Sequence, residues 1–472
     1  MLKQLFVPFS FLLFFSYGCH SSKKITANKT PAGETSQKAT GNADLDDAAF
    51  ARNIQQINHV VVIYMENHSF DNLWGEFEGA NGLSDAKKLN ITQVDKDGKP
   101  YAFLPGIPRS NAFPTNLPNT YFNIDQYVAS DQTTPDVTHR YYHQIMQINN
   151  GKMNKFALYN STKGLTMGYY KTHLLPLYPI AKKYTLCDNF FQSGFGGSYF
   201  NHVYLIAAAP AVWENAPASI VAEVDASGKM VKDGTVTPDG FAINTTFPKT
   251  GPYPPKEDTA QLLPPQTLPT IGDRLSDKGV SWAWYSAGWD EAIANPEKGS
   301  SLYAYNHEPF AFFANYGPGT EGRAQHLKDE NDFLKAAKEG TLPSVSFVKP
   351  GITFDEHPGS GSVFMGETHA VKLINAVLDG PNARDALVIL TYDENGGFWD
   401  HVAPPVIDRW GPGTRIPAII ISPFAKKGHV DHTQYETVSI LSFIEKRWGL
   451  QPLTERDKNA NPLRNVFDFS GQ

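Results

Sequence analysis

Six short apolar runs, rich in Val, Ile and aromatic residues, recur along this chain at 59–64, 184–191, 280–285, 344–348, 386–392 and 417–422. Each is too short for a buried helix and lacks the alternation of a half-exposed strand, so each reads as a strand covered on both faces. Between them, at 199–209, 268–277, 330–339, 367–378 and 435–448, apolar residues follow helical spacing. Such alternation predicts an α/β fold: a three-layer α/β/α sandwich around a mainly parallel central sheet. The Pro- and Gly-rich segment 228–266 has little periodicity and is expected to form an excursion or cap over the sheet.

The first residues read differently. Lys3 precedes an apolar run at 5–17 that is too short to span a bilayer comfortably, and the run ends in Ser16-Tyr17-Gly18-Cys19. A small residue before cysteine here looks like a bacterial lipoprotein cleavage site. The expectation is a signal peptide at 1–18, a lipid on Cys19 and an exported, membrane-anchored protein of the cell envelope; simple secretion is the alternative. His20 after the cysteine leans towards the outer membrane if the envelope is Gram-negative. Residues 19–50 hold few large apolar side chains and read as a flexible tether, leaving 51–472 as one folded domain that begins in earnest near Ile54. The other cysteine, Cys187, sits in an apolar run and reads as a small buried hydrophobe.

A formal net charge of −7 gives no basic footprint for nucleic acid. Any anionic substrate must therefore be held by a local site against a mildly acidic whole.

Polar clusters follow the apolar runs, where α/β sheets place ligands. The first run leads into Glu66-Asn67-His68-Ser69-Phe70-Asp71, a carboxylate and an amide able to hold a hard cation. Taken alone, Asn67 or Ser69 could equally cap the next helix. Gly196-Gly197-Ser198 delivers a serine to the first turn of a helix, with Asn201 three residues on along the same face. Free N–H groups and the helix dipole there favour an anion, although an ordinary N-cap serine has the same appearance. The run at 386–392 ends in Asp393-Glu394-Asn395-Gly396-Gly397-Phe398-Trp399-Asp400-His401, and adjacent carboxylates at the end of an apolar strand are costly unless paired or metal-bound. His139, His307 and His357 lie in loop-like surroundings beside Asp136, Asn306 and Asp355-Glu356.

The motif Met65-Glu66-Asn67-His68-Ser69-Phe70-Asp71, with Thr391-Tyr392-Asp393-Glu394, Gly396-Gly397-Phe398 and Asp400-His401-Val402, resembles the bacterial phosphoesterase family of acid phosphatases and phosphatidylcholine-type phospholipases C. Asn149-Asn150-Gly151-Lys152-Met153 and Asn306-His307-Glu308-Pro309-Phe310 resemble two further stretches of it, and the matches keep their order over 57–448. The resemblance implies the fold of the alkaline phosphatase superfamily. It further implies one divalent cation per chain (Ca²⁺, Mg²⁺ or Mn²⁺) on Glu66, Asn67, Asp393 and Glu394, with Ser198 as nucleophile. His139, Asn201, His307 and His357 would surround the phosphate, and His357 would protonate the leaving oxygen. The chain departs from the family in carrying Asn306-His307 for the usual His-His pair and Gly196-Gly197-Ser198 for a Gly-Pro turn.

The activity so implied is hydrolysis of a phosphate ester through a phosphoserine. A serine rather than threonine at 198, and a chain that stops soon after the Asp393-Glu394 motif, favour a phosphomonoesterase; a phospholipase C acting on membrane lipid is the alternative. A sulfatase is excluded because Cys187-Asp188-Asn189-Phe190-Phe191 lacks the Pro and Arg that follow a sulfatase's modified cysteine. A silent surface-binding lipoprotein ranks third, since binding alone gives no reason to keep a nucleophile turn and four cation ligands together.

Overall fold

The computed structural model describes residues 40–470. Eight strands form the main sheet: β1 (His59–Met65), β2 (Thr185–Cys187), β3 (Trp282–Ser286), β4 (Leu327–Asp329), β5 (Val345–Lys349), β6 (Ala386–Tyr392), β7 (Ala418–Ile421) and β8 (His429–Asp431). Their order across the sheet is β4-β3-β5-β1-β6-β7-β2-β8. All neighbours are parallel except β7, which runs against both β6 and β2.

Successive strand residues face opposite sides of a sheet, yet β3, β5, β6 and β7 are buried at every position and β1 at all but His59. Both faces are therefore covered, as expected for the three-layer α/β fold. The principal helices are α1 (Ser198–Ala207), α2 (Ile271–Asp277), α3 (Glu330–Glu339), α4 (Val363–Leu378) and α5 (Thr437–Trp448). They pack in two groups, α3 on α4 and α1 on α2 and α5.

Some expectations shift. The run at 184–191 is broken at Asp188-Asn189: β2 joins the main sheet, while Phe190–Phe191 pairs with Tyr435–Glu436 in a separate ribbon, so that α5 starts two residues later than its apolar pattern. At the break the Asp188 carboxylate accepts from the Asn81 N–H (2.7 Å). The edge strands β4 and β8 were not anticipated, because three residues containing Lys328 or His429 carry no apolar signal. A helix, Thr40–Asn53, occupies the end of the stretch read as tether; Ala and Leu favour a helix even where little apolar surface is at stake. Its last turn is anchored by Phe50, whose ring lies 6.3 Å from that of Phe467. Cys19, the signal segment and the rest of the tether lie outside the described residues. Cys187 is buried without a disulfide partner, and burial raises its thiol pKa well above the usual value. The 228–266 excursion carries two short strands, Met230–Lys232 and Phe241–Ala242, and lays its Ile243 carbonyl against the turn before α1.

Candidate active site

Three adjacent parallel strands end together. Tyr64 is level with Thr391 and Met65 with Tyr392, so the next residues, Glu66 and Asp393, emerge side by side. Lys349 closes β5 on the other flank. Glu66, Asn67, Asp393 and Glu394 are all fully buried. Asn67 turns the chain sharply at φ 67°, a left-handed conformation that asparagine tolerates better than most residues. Gly396 (φ 59°) then passes so close that a Cβ there would lie 2.2 Å from the Asn67 carbonyl oxygen, so only glycine lets the two motif turns interlock. Ser69 is the helix cap here: its Oγ accepts from the Asn72 N–H (3.2 Å) and donates to the Trp399 carbonyl (2.7 Å).

Ser198 begins α1 after Gly197, and no side chain caps that helix. The positive end of its dipole is thus available to an anion beside the serine. Gly197 has φ 68°, and a Cβ on it would lie 2.3 Å from the Ile243 carbonyl oxygen. The Ser198 hydroxyl donates to Glu394 Oε1 at 3.4 Å and stands 3.5 Å from Asn67 Oδ1. Asn201 does not face that space. Its Nδ2 donates to the carbonyls of Gly196 (2.9 Å) and Gly197 (3.3 Å), and its Oδ1 accepts from the Gly194 N–H (2.8 Å). The structure makes it a brace for the turn that presents Ser198, in place of the phosphate contact expected of it.

His307 places Nδ1 3.4 Å from Glu66 Oε1, and His202, one turn along α1 from Ser198, places Nε2 3.5 Å from the same atom. The four rings His202, His307, His357 and His139 follow one another at 4.9, 6.5 and 5.2 Å. His139 and His357 are half-buried and Asp136 is exposed, so this cluster reaches solvent at that end. Lys349 Nζ, buried, lies 3.0 Å from Asp355 Oδ2 and 3.2 Å from Glu66 Oε1. Neither His202, Lys349 nor Asp355 was given a role from sequence. Lys349 had the same signal as Glu66 and Asp393, a charge at the end of an apolar strand. His202 is one helical turn from Ser198.

The electrostatics ask for a cation. Burial pushes the Asp393 and Glu394 carboxyls well up, and the charge of Glu66 adds to the effect. Burial would raise Glu66 too, but His307, Lys349 and His202 outweigh it and hold that carboxyl well below the usual range. Burial drives the imidazoles of His202 and His307 down against the pull of Glu66, so once those rings lose their protons the Lys349 ammonium is the charge that stays beside Glu66. Among the described residues, Glu394 Oε2 is buried without a hydrogen-bond partner, and Glu66 Oε1 is met only by the ion-pair approach of Lys349 Nζ at 3.2 Å and by the two imidazoles. Three buried acids, one amide and a serine hydroxyl form an oxygen-rich set suited to a hard divalent cation such as Ca²⁺, Mg²⁺ or Mn²⁺.

Asp71, Asp400 and His401, from the same motifs, lie apart from this set. They surround Arg415, whose fully buried guanidinium donates to Asp400 Oδ1 (2.9 Å), Asp71 Oδ1 (3.1 Å) and the carbonyls of Asp188 (2.6 Å) and Asn81 (2.8 Å). His401 Nδ1 meets Asp71 Oδ2 at 2.6 Å; burial alone would lower the ring's pKa, but that bond raises it. This is a clamp tying the turn after β1 to the turn after β6.

The Phosphoesterase family model matches residues 57–451, and the protein belongs to that family. Among curated relatives, the hemolytic phospholipase C of Pseudomonas aeruginosa is 27% identical over 480 residues, covering 89% of this chain and 57% of that enzyme. Phospholipase C B of Mycobacterium tuberculosis is 23% identical, covering 88% of this chain and 78% of its own length. The chain spans less than two thirds of the two Pseudomonas relatives, 57% of one and 56% of the other. Among solved structures, a protein in the alkaline phosphatase superfamily from Vibrio parahaemolyticus aligns with a TM-score of 0.31 at 12% identity, over 70% of this chain and 72% of that one.

Proposed function

We propose that this protein is a cation-dependent phosphate-ester hydrolase that works through a phosphoserine on Ser198, with phosphomonoesters as its preferred substrates. The observation that carries this reading is the Ser198 hydroxyl at the start of an uncapped helix, facing the buried Glu66, Asn67, Asp393 and Glu394. A bound divalent cation supplies Lewis acidity, making the serine oxygen a better nucleophile and offsetting charge on the phosphoryl oxygens. Glu394 Oε1 holds the hydroxyl hydrogen and so aims an Oγ lone pair outward. Oγ passes its hydrogen to Glu394 Oε1 and bonds to phosphorus as the bond to the ester oxygen breaks, and that oxygen leaves as the alcohol with a proton from solvent. Water then bonds to phosphorus and gives a proton back to solvent, the P–Oγ bond breaks, and Oγ recovers the hydrogen held by Glu394, leaving free phosphate. The helix terminus receives the phosphoryl oxygens, and Asn201 keeps the serine's turn rigid.

The serine at 198 favours a monoester. The names of the relatives favour a phospholipid diester as the second reading. Hydrolysis of p-nitrophenyl phosphate, its bis ester and phosphatidylcholine, with and without chelator, separates the two. Monoester cleavage that stops with chelator is expected; a preference for phosphatidylcholine would transfer the protein to the second reading, and inactivity on all three would overturn both. Chelation should also lower the melting temperature, because a cation at about 100 times its Kd adds about 2.7 kcal/mol to a state that alone binds it. An unchanged melting curve would count against the cation site.

The proposal includes lipid anchoring of an exported chain through Cys19, supported by the apolar run ending in Gly18-Cys19. Metabolic labelling with palmitate should mark the native protein and leave Cys19→Ala unlabelled; equal labelling of the two would remove Cys19 as the anchor.

A further inference from the structure

His357 was expected to protonate the leaving oxygen, but its ring is engaged elsewhere. Nδ1 lies 2.7 Å from the carbonyl oxygen of Pro358. A carbonyl can only accept, so Nδ1 carries the hydrogen, and a neutral ring then presents a lone pair on Nε2. The partner facing Nε2, at 2.8 Å, is the side-chain amide of Asn67. The other end of that amide lies 2.9 Å from Glu66 Oε2 and 2.9 Å from Asp393 Oδ1.

Only two orientations of the amide exist, and each implies a different chemistry. With Nδ2 towards the carboxylates, Asn67 is satisfied without any cation, but Oδ1 then needs a hydrogen from His357 Nε2 while Pro358 already holds one on Nδ1. With Nδ2 towards the ring, Nε2 accepts, and Oδ1 joins Glu66 Oε2 and Asp393 Oδ1 in one group of three oxygens, with the Ser198 hydroxyl 3.5 Å away. Asp393 Oδ1 accepts from the N–H groups of Glu394 (2.7 Å) and Asn67 (3.3 Å), and a cation among the three oxygens would offset the repulsion that remains.

We propose that His357 is a positioning residue for the cation site: its Nε2 accepts from the Asn67 amide and turns the amide oxygen towards Glu66 and Asp393. The inference rests on the cation reading above and adds to it the reason Asn67, a neutral ligand, points the right way. It also makes the backbone of Glu356-His357-Pro358 part of the site. Glu356 adopts φ 78°, and its carbonyl meets His68 Nε2 at 3.1 Å, fixing the approach of the ring. Orienting partners of this kind change metal affinity by about 10- to 100-fold when removed.

The test is a double-mutant cycle read by calorimetric titration of the chelator-stripped protein with Mn²⁺, with thermal melts to confirm folding. His357→Leu should bind Mn²⁺ about 10- to 100-fold more weakly than the native chain. His357→Gln, whose amide oxygen can stand where Nε2 stood, should recover most of the loss. In an Asn67→Asp background, where either side-chain oxygen can serve as ligand, His357→Leu should have little effect. Should the leucine variant fail to fold, His357→Asn, too short to reach Asn67, replaces it. Equal affinity in the native chain and the Leu or Asn variant would overturn the inference while leaving the cation site intact. An equal loss in the Gln and Leu variants, or an undiminished loss in the Asn67→Asp background, would overturn it too. A native chain that binds no Mn²⁺, Ca²⁺ or Mg²⁺ would instead remove the cation reading itself.

Discussion

Ser198→Ala should reduce phosphate-ester hydrolysis by at least about 10³-fold, the scale seen when a nucleophile acting in concert with its site is removed. The melting temperature should stay close to native. The hydroxyl is buried at 1% exposure and makes only long contacts of 3.4 and 3.5 Å, so the fold loses little without it. The loss should fall on kcat, because the helix terminus and the proposed cation site stay in place to bind substrate. Trapping of a phosphorylated protein from labelled substrate should succeed with the native chain and fail with the alanine variant. Turnover near the native rate in Ser198→Ala would exclude the proposed nucleophile, whatever the substrate.

Arg415→Ala should be the most destabilising single change in the clamp, at about 3–5 kcal/mol, the cost of removing one partner from a buried ion pair. Its guanidinium is fully buried and serves two carboxylates and two main-chain carbonyls at once. Without it, Asp71 and Asp400 keep the His401 ring and the main-chain N–H groups of Asp71, His401 and Val402, but no full positive charge. Lysine should not rescue the loss, since a point charge cannot reproduce a planar fork that reaches four acceptors. The clamp joins the turns that carry Asn67 and Asp393, so residual folded protein should also bind cation less tightly. A denaturant midpoint within error of native for Arg415→Ala would show that the carboxylates are neutralised some other way.

Glu66, Asp393 and Glu394 were legible in the sequence because an apolar strand announces its own end, and charges there are too costly to be incidental. Ser198 was legible through the glycines before it. What sequence could not supply was direction. Asn201 shares a helix face with Ser198 by spacing, yet its amide turns back to the 194–197 loop, a choice made by carbonyls that only the folded turn brings near. A lone lysine at the end of an apolar run, such as Lys349, is ordinary until β5 is known to lie beside β1. Asp71, Asp400 and His401 belong to the same motifs as the proposed cation ligands, and nothing in one dimension separates clamp from ligand. Arg415 completes the clamp from a segment that carried no motif at all. The edge strands escaped for a simpler reason: they are three residues long and carry polar side chains.

The pairing of Met65 with Tyr392 has a consequence for how such a chain can change over generations. Glu66 and Asp393 meet because seven residues of β1 lie level with seven of β6. Losing or gaining one residue in either strand would send the following carboxylate to the opposite face and leave its counterpart alone. Descendants are free to lengthen or shorten the 228–266 excursion and the loops on the far side of the sheet. Within 59–66 and 386–394 they can exchange residues but cannot change their number. Inherited variation in chain length should therefore stop abruptly at the edges of these two segments, marking the site even where identities have drifted.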